Sequence, residues 1–253
     1  PWGKAEFLMQ FRPAEVSVWL GYNGHGKSLL LGQTVTSFMA QGESAIILSF
    51  EMKPVATLAR MTRQAAMCRE PTIDFINKYA KWTDDKLWMY DQQGTVNGDR
   101  VLNVCRYAAK VLKVKHIVID SLMKCGFNED DYNGQKGFVD QLCAIAKDFE
   151  VHIHLVHHSR KREDESKPPG KMDAKGTGAI IDQVDNCITV FRNKKKEVQM
   201  SMGQGDPEMY DALMVVDKQR HGEWEGNIAL WYDVESLQYL SAFCAPRIDL
   251  MNP

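Results

Sequence analysis

A stretch of eight residues near the start of the chain, GYNGHGKS at positions 21–28, has the pattern G-x-x-x-x-G-K-S. Glycines in this pattern let the backbone curl so that successive N–H groups face one centre, where they can hold phosphate oxygens. Lys27 would supply a positive charge to the β- and γ-phosphates, and the Ser28 hydroxyl would be a ligand for Mg²⁺. The residues that the pattern assigns to a bound nucleotide are Gly21, Asn23, Gly24, His25, Gly26, Lys27, Ser28 and Leu29.

Two carboxylates, Asp120 and Glu51, each follow an apolar run that predicts a buried strand. In proteins with this phosphate loop an aspartate at a strand end holds Mg²⁺, so Asp120 is the predicted metal residue beside Ser28. Glu51 could activate a water as a general base opposite the γ-phosphate. The alternative for Glu51 is structural, because a carboxylate also stabilises the start of a helix, here one that begins near Pro54.

Four histidines, His152, His154, His157 and His158, lie within seven residues. Residues two apart on a strand share a face, so His152 and His154 could chelate a metal ion. No cysteine or carboxylate is adjacent, which favours hydrogen-bonded packing for this pair. His158 follows the predicted strand, at the edge where it could sense a γ-phosphate.

Alternating strands and helices must position these residues. Near-continuous apolar strands separated by helical segments favour a mostly parallel sheet covered by helices on both faces. Strands with short connectors follow from residue 187, which predicts an antiparallel C-terminal extension of this α/β fold. The predicted strands are 16–20, 45–50, 87–90, 117–119, 151–156, 187–191, 213–216, 228–231 and 237–240, and the predicted helices are 27–41, 54–68, 101–112 and 137–149.

Length and composition limit the class of protein. The 253 residues with 44% apolar and 25% charged side chains are typical of a globular chain, and we expect a single domain over 1–253, with 1–15 leading into the first strand. A net charge of −2 excludes a strong overall positive field, although a local basic patch remains compatible with it. Six cysteines without a C-x-x-C pair favour a reducing compartment. A chain that begins at Pro1 is expected to be a domain of a longer protein.

Two polar stretches containing glycine predict long loops, which are usually functional or disordered. The first, residues 159–178, includes two prolines and several basic side chains. The second, residues 194–210, is predicted as a surface loop, and the lysines at 194–196 as an exposed turn.

Taken in order, these motifs resemble the hexameric replicative DNA helicases of the RecA/DnaB superfamily, most closely the branch of phage helicase–primases and mitochondrial Twinkle. The fold implied is a RecA-like P-loop NTPase, and the resemblance extends from about residue 12 to 240. The matching segments are 12–15, 21–28, 49–52, 117–121, 157–160, 176–179 with 185–186, and 217–220 with Gly222 and Gly226.

The resemblance implies roles for individual residues. Glu51 corresponds to the water-activating base, Asp120 to the Mg²⁺ aspartate and His158 to the γ-phosphate sensor. Lys218 and Arg220 resemble the cations that reach into a neighbouring subunit's nucleotide site, with Arg220 as the arginine finger. The alternative for this pair is a solvated strand edge.

The same resemblance implies that Arg192 and Tyr232 sandwich the nucleotide base, with simple packing as the alternative. Two segments, roughly 124–137 and 160–178, would line a central pore and hold single-stranded DNA. The alternative for the second is a solvated charged loop, because acidic residues at 163–165 dilute its charge. The predicted DNA-binding residues are Lys124, Arg160, Lys161, Lys175 and Gly176.

The resemblance therefore implies a motor that uses ATP or dTTP with Mg²⁺ to translocate 5′ to 3′ along single-stranded DNA and unwind duplex. Its expected partners are copies of itself in a hexameric ring and a primase, separate or fused, with no membrane. A cytoplasmic place at a bacterial or phage replication fork is expected rather than the mitochondrial matrix. Two alternatives remain: a RecA/RadA-type recombination ATPase, and a KaiC-type signalling ATPase that uses no nucleic acid.

Overall fold

A computed structural model describes residues 1–128, 130–159, 167–169 and 178–252. The strands in this part of the chain are β1 (Val16–Leu20), β2 (Ala45–Ser49), β3 (Leu87–Tyr90), β4 (His116–Asp120), β5 (His152–Val156), β6 (Asn186–Arg192), β7 (Ala212–Gln219), β8 (Gly226–Asp233) and β9 (Gln238–Leu240). The α-helices are α1 (Lys27–Ala40), α2 (Pro54–Ala66), α3 (Ile73–Thr83), α4 (Gly98–Tyr107), α5 (Tyr132–Phe149), α6 (Gly178–Gln183) and α7 (Lys194–Ser201).

One sheet contains these strands, in the order β3-β2-β4-β5-β1-β6-β7-β8-β9. The first six in this order run parallel, and β7, β8 and β9 add antiparallel pairs at one side. The carboxyl ends of the parallel strands therefore meet at one edge of the sheet, where α/β proteins bind their ligands. The mostly parallel sheet with an antiparallel extension is confirmed.

The central strands are buried on both faces, and each face has its own apolar core. Val18, Leu48 and Ile119 pack on the side that α4 and α5 cover. Trp19 and Val118 point to the other side, which α1, α2 and the antiparallel strands cover. This double burial explains why the central strands read as nearly continuous apolar runs.

Three local predictions were wrong or incomplete. The helix predicted from residue 137 begins at Tyr132, because the Asp131 carboxylate accepts a hydrogen bond from Gly134 N (2.9 Å) and caps it there. Residues 132–137 of the segment predicted to line a pore therefore belong to α5. Helix α3 was not predicted, although Thr72 caps it by accepting from Phe75 N (3.2 Å).

The prediction of a surface loop over 194–210 was also wrong, because its first half is helix α7. Asn193 caps this helix by accepting a hydrogen bond from Lys196 N (3.1 Å). The Lys196 side chain is buried rather than exposed, and its amino group contacts Asp211 (2.8 Å) and two backbone carbonyls. A lysine can be buried here because its positive charge is paired and fully hydrogen-bonded.

None of the helices in the described ranges combines the length and the apolar character needed to span a bilayer.

Candidate nucleotide-binding site

The phosphate loop connects β1 to α1 at the carboxyl edge of the sheet. Two of its glycines lie where no side chain fits. A Cβ on Gly21 would come within 2.4 Å of the Val190 carbonyl oxygen, and a Cβ on Gly26, at φ +86°, within 2.1 Å of the Tyr239 hydroxyl. The loop therefore needs these glycines to pass close to neighbouring elements while it curls around the start of α1.

Lys27 is buried at the first position of α1, where its side chain curls back over the loop. Its amino group donates hydrogen bonds to the carbonyls of Gly21 (2.9 Å) and Tyr22 (3.0 Å). Burial lowers the pKa of Lys27 to about 8, while the negative charges of Asp120 and Glu51 oppose that shift. A bound phosphate would supply the negative charge that this buried cation lacks.

Ser28 and Asp120 come together although 92 residues separate them. The Ser28 hydroxyl donates to Asp120 Oδ2 at 2.5 Å, and Asp120 is buried at the end of β4. Burial raises the pKa of Asp120, partly countered by the Ser28 hydrogen bond. A hydroxyl and a carboxylate oxygen in contact are the ligands that Mg²⁺ prefers, and Mg²⁺ needs only one or two from protein when phosphates and waters supply the rest. These two residues fit the predicted metal.

Glu51 lies just beyond β2, at the mouth of the same site. Its Oε1 accepts a hydrogen bond from Ser121 Oγ (3.2 Å) and lies 3.4 Å from His158 Nε2. The hydrogen bond from His158 is the main reason that the pKa of Glu51 is lowered. Glu51 does not cap α2 directly, because Lys53 occupies the N-cap position, but it lies two residues before that position, near the start of the helix.

A broad cleft extends from the phosphate loop across the carboxyl edge to the antiparallel strands and the C-terminal segment. Arg192 and Tyr232, the predicted base sandwich, both line it. Arg192 already has a partner there, since its guanidinium donates to both carboxylate oxygens of Glu197 on α7. Tyr232 is half-buried, and its backbone N–H is held by Asp211 at 2.9 Å.

His25 is the exception within the phosphate loop. Its ring is fully buried, lies 5.1 Å from the Tyr22 ring and 5.7 Å from the Phe191 ring, and accepts a hydrogen bond from Arg192 N at 3.0 Å. Only the backbone of His25 is therefore left to face a ligand, and the side chain anchors the loop to β6.

Lys218 and Arg220 do not line this cleft. Lys218 donates to the carbonyls of Ile181 (2.7 Å) and Asp182 (3.1 Å) at the end of α6. Arg220 binds the same helix end and forms an ion pair with Asp185 at 3.2 Å. Both cations lie at the surface end of β7, apart from their own chain's phosphate loop.

The predicted DNA-binding residues Arg160, Lys161, Lys175 and Gly176 lie outside the described residues. Lys124 is described: it ends a short 3₁₀ turn after β4, and its carbonyl accepts a hydrogen bond from Val96 N at 2.8 Å. Its positive charge is one of the smaller causes of the lowered pKa of Glu51.

The buried histidines of β5 lie on the same sheet as the cleft but nearer its opposite edge. His152 Nε2 contacts Ser17 Oγ at 2.8 Å, and His154 Nδ1 accepts from Trp19 Nε1 at 3.2 Å. His116, which contacts His154 Nε2 at 3.2 Å, belongs to the same buried cluster. Burial lowers the pKa of His152 to about 4 and that of His116 to about 3. The predicted hydrogen-bonded packing role of His152 and His154 is confirmed.

Several residues that line the cleft were not predicted from the sequence. Tyr239, Glu197 and Lys196 line it, together with residues 243–247 of the C-terminal segment. The pattern N-K-K-K-E at 193–197, with a helix cap followed by an acidic residue in the first turn, could have revealed α7 and Glu197. No comparable local signal marks Tyr239, whose position depends on the pairing of β8 with β9.

The strand order, the phosphate loop and the paired serine and aspartate define a RecA-like P-loop NTPase fold. Solved structures agree. One that is described as an ATPase domain matches with a TM-score of 0.74 at 13% identity, over 91% of this chain and 86% of that one. A DnaB-like replicative helicase, solved with its interactions with primase, matches with a TM-score of 0.73 at 13% identity, over 91% of this chain and 58% of that one.

A family model described as an AAA domain matches residues 7–164, which is more than half of the sequence. The chain therefore belongs to this AAA domain family, and its fold is that of DnaB-like helicase ATPase domains, as the motifs predicted.

Proposed function

We propose that this chain is the ATPase domain of a DnaB-type replicative DNA helicase. It would use ATP or dTTP with Mg²⁺ to translocate 5′ to 3′ along single-stranded DNA and to unwind duplex. The observation that carries the proposal is the meeting of Lys27, the Ser28–Asp120 pair and the Glu51–His158 pair in one cleft. The helicase-like fold around that cleft supports it.

In this mechanism the residues of the chain neutralise charge and position a water. Lys27 would leave its two loop carbonyls and bind the β- and γ-phosphates. Ser28 and Asp120 would hold Mg²⁺, which neutralises phosphate charge when bound. Glu51 would accept a proton from the attacking water, and it is ready to do so because its lowered pKa keeps it ionised at neutral pH.

His158 would report the state of the γ-phosphate. Its Nε2 lies beside the Glu51 carboxylate, while its Nδ1 is buried without a hydrogen-bond partner among the described residues. A change in the charge or position of the Glu51 carboxylate on hydrolysis would therefore alter its hydrogen bond with His158. His158 immediately precedes the segment 159–178, which is proposed to bind DNA.

The proposed site is completed by a neighbouring copy of the chain. Lys218 and Arg220 are remote from their own phosphate loop, whereas their position at the surface end of β7 suits contact with another subunit. An arginine supplied in this way stabilises the charge of the transition state. We infer a homo-oligomer, as a hexameric ring, with Arg192 and Tyr232 around the base.

The proposal includes DNA contacts from Lys124, Arg160, Lys161, Lys175 and Gly176. It also includes a primase as partner or fused domain, since one of the similar structures is a replicative helicase solved with primase interactions. A cytoplasmic location at the replication fork follows from this function.

The test measures ATP hydrolysis by the chain with and without single-stranded DNA, and unwinding of forks with a 5′ or a 3′ tail. We expect stimulation by DNA and unwinding only with a 5′ tail. Glu51→Gln should abolish both activities, and Glu70→Gln, at an exposed carboxylate outside the cleft, should change neither.

The alternatives give different results. Strand exchange without fork unwinding would replace the helicase with a recombination ATPase. Full ATP turnover by an assembled sample that ignores DNA would favour a signalling ATPase.

A further inference from the structure

Tyr239, on the last strand, reaches the phosphate loop from the opposite end of the sequence. Its side chain is only 5% exposed and lines the cleft. Its hydroxyl lies so close to Gly26 that a Cβ there would come within 2.1 Å of it. A hydroxyl is thus placed directly against the loop predicted to hold phosphate.

The backbone of Tyr239 is held on both sides by one glutamine of α1, the helix that follows the phosphate loop. Gln33 Oε1 accepts from Tyr239 N at 2.7 Å, and Gln33 Nε2 donates to Tyr239 O at 2.9 Å. The same carbonyl accepts a second hydrogen bond, from Trp2 Nε1 at 2.7 Å. The backbone of Tyr239 is therefore fixed relative to α1, and the ring is held by its burial and by its contact with Gly26, which is the preorganisation that binding residues need.

The Tyr239 hydroxyl makes no hydrogen bond to any residue that the structure describes. The hydroxyl borders the cleft, where it can donate a hydrogen bond to a ligand. Burial raises the pKa of Tyr239, which keeps the hydroxyl protonated and able to donate at neutral pH. Packing alone would need only a phenylalanine here.

We propose that Tyr239 is a substrate-binding residue whose hydroxyl donates a hydrogen bond to an α-phosphate oxygen or to the ribose 2′-hydroxyl oxygen of the nucleotide. This rests on the proposed nucleotide site. The Tyr239 ring lies 5.3 Å from the Tyr232 ring on one side and against Gly26 on the other. It thus stands between the proposed base stack and the phosphate cradle, where that part of a nucleotide would lie.

The test is calorimetric binding of Mg-ADP to the chain and to Tyr239→Phe. This substitution keeps the ring and removes the hydroxyl, and we expect the Kd to rise about tenfold, the size expected for the loss of one hydrogen bond to the nucleotide. Tyr107→Phe is the matched control and should change the Kd less than about twofold, because Tyr107 is exposed on α4 and does not line the cleft.

Two nucleotides distinguish the two acceptors. If the acceptor is the ribose 2′-hydroxyl, the loss in Tyr239→Phe should disappear with Mg-2′-deoxy-ADP, and if it is the α-phosphate the loss should persist. Equal Kd values for the wild type and Tyr239→Phe with both nucleotides would overturn the proposal while leaving the proposed function intact. A wild-type chain that binds neither nucleotide would overturn both.

A second measurement does not depend on the folding of Tyr239→Phe. With 3-fluorotyrosine at position 239 in the otherwise unchanged chain, the ¹⁹F resonance should shift on addition of Mg-ADP. A resonance that stays in place at saturating Mg-ADP would contradict contact between this ring and the ligand.

Discussion

The two ends of the cleft are built in different ways. At the phosphate end, the key groups come from the phosphate loop and from strand ends that the parallel sheet aligns, as Ser28 and Asp120 illustrate. At the other end, where the base is proposed to bind (the base end), a buried glutamine of α1 and the last strand hold each other through side-chain-to-backbone hydrogen bonds, as with Gln33 and Tyr239. The first end depends on topology, and the second on individual polar side chains.

More of these side-chain amides hold the base end. Gln64 on α2 donates to the carbonyls of Leu29 (3.1 Å) and Leu237 (2.9 Å), and Gln238 donates to the carbonyl of Gln64 (2.7 Å). These bonds attach the C-terminal strands and segment to the helices beside the phosphate loop. A sequence motif can therefore predict the phosphate end, whereas the residues of the base end can be identified only from the tertiary structure, which brings distant segments together.

The largest expected effect is at the phosphate end. Lys27→Ala removes the buried cation, and we expect ATP hydrolysis to fall about 10³-fold or more, into the background. Lys110→Ala, at an exposed lysine remote from the cleft, should leave the rate unchanged. Normal turnover in Lys27→Ala would contradict the assignment of the phosphate site.

The next effect tests whether the phosphate end is completed by another subunit. Arg220→Ala should reduce ATP turnover about 10³-fold. When it is mixed with wild type in an assembled sample, activity should fall more steeply than dilution predicts, because each variant subunit also disables its neighbour. A strictly linear loss across the mixing series would show that Arg220 acts only within its own chain.

Removal of the Gln33 side-chain amide should weaken both the stability of the base end and its contribution to nucleotide binding. Gln33→Met keeps the size of the side chain but leaves Tyr239 N without its acceptor, so we expect the free energy of unfolding to fall by about 2–4 kcal/mol. Binding of Mg-ADP should weaken, whereas binding of Mg-tripolyphosphate, which lacks base and ribose, should be nearly retained. Urea denaturation and calorimetry measure these effects.

Gln41→Met is the control for that change, because Gln41 is exposed at the end of the same helix. It should alter stability by less than about 0.5 kcal/mol. Equal losses for tripolyphosphate and ADP in Gln33→Met would mean that the two ends are not separable.

The smallest predicted effect is a pH dependence. With a pKa of about 8 in the free protein, Lys27 loses its proton as the pH rises through 8, while binding requires its charge. The Kd for Mg-ADP should therefore be flat from about pH 6.5 to 7.5 and then rise up to about tenfold per unit above pH 8. In Lys27→Arg, whose side chain stays charged, this rise should be absent even though binding is weaker.

Much of the fold could be predicted from the sequence, for definite reasons. The central strands are apolar throughout because both faces are covered, whereas α4 begins at Gly98, three residues before its predicted start, because Asn97 caps it by accepting a hydrogen bond from Asp99 N at 2.9 Å. The start of α5 at Tyr132 was misplaced because a polar helix cap and a polar loop have similar compositions. Helix α7 was missed because three consecutive lysines suggest solvent, whereas one of them, Lys196, is buried by specific partners.

The sequence by itself determined the phosphate loop and the carboxylates at the strand ends, because in this fold a local pattern and the direction of parallel strands are enough to align them. Only the tertiary structure decided the partners of Glu51, the packing of His25, and the place of Tyr239 against Gly26. Those positions depend on contacts between segments that lie far apart in the chain. Such contacts produce no periodic pattern of residue types, so the sequence alone does not predict them.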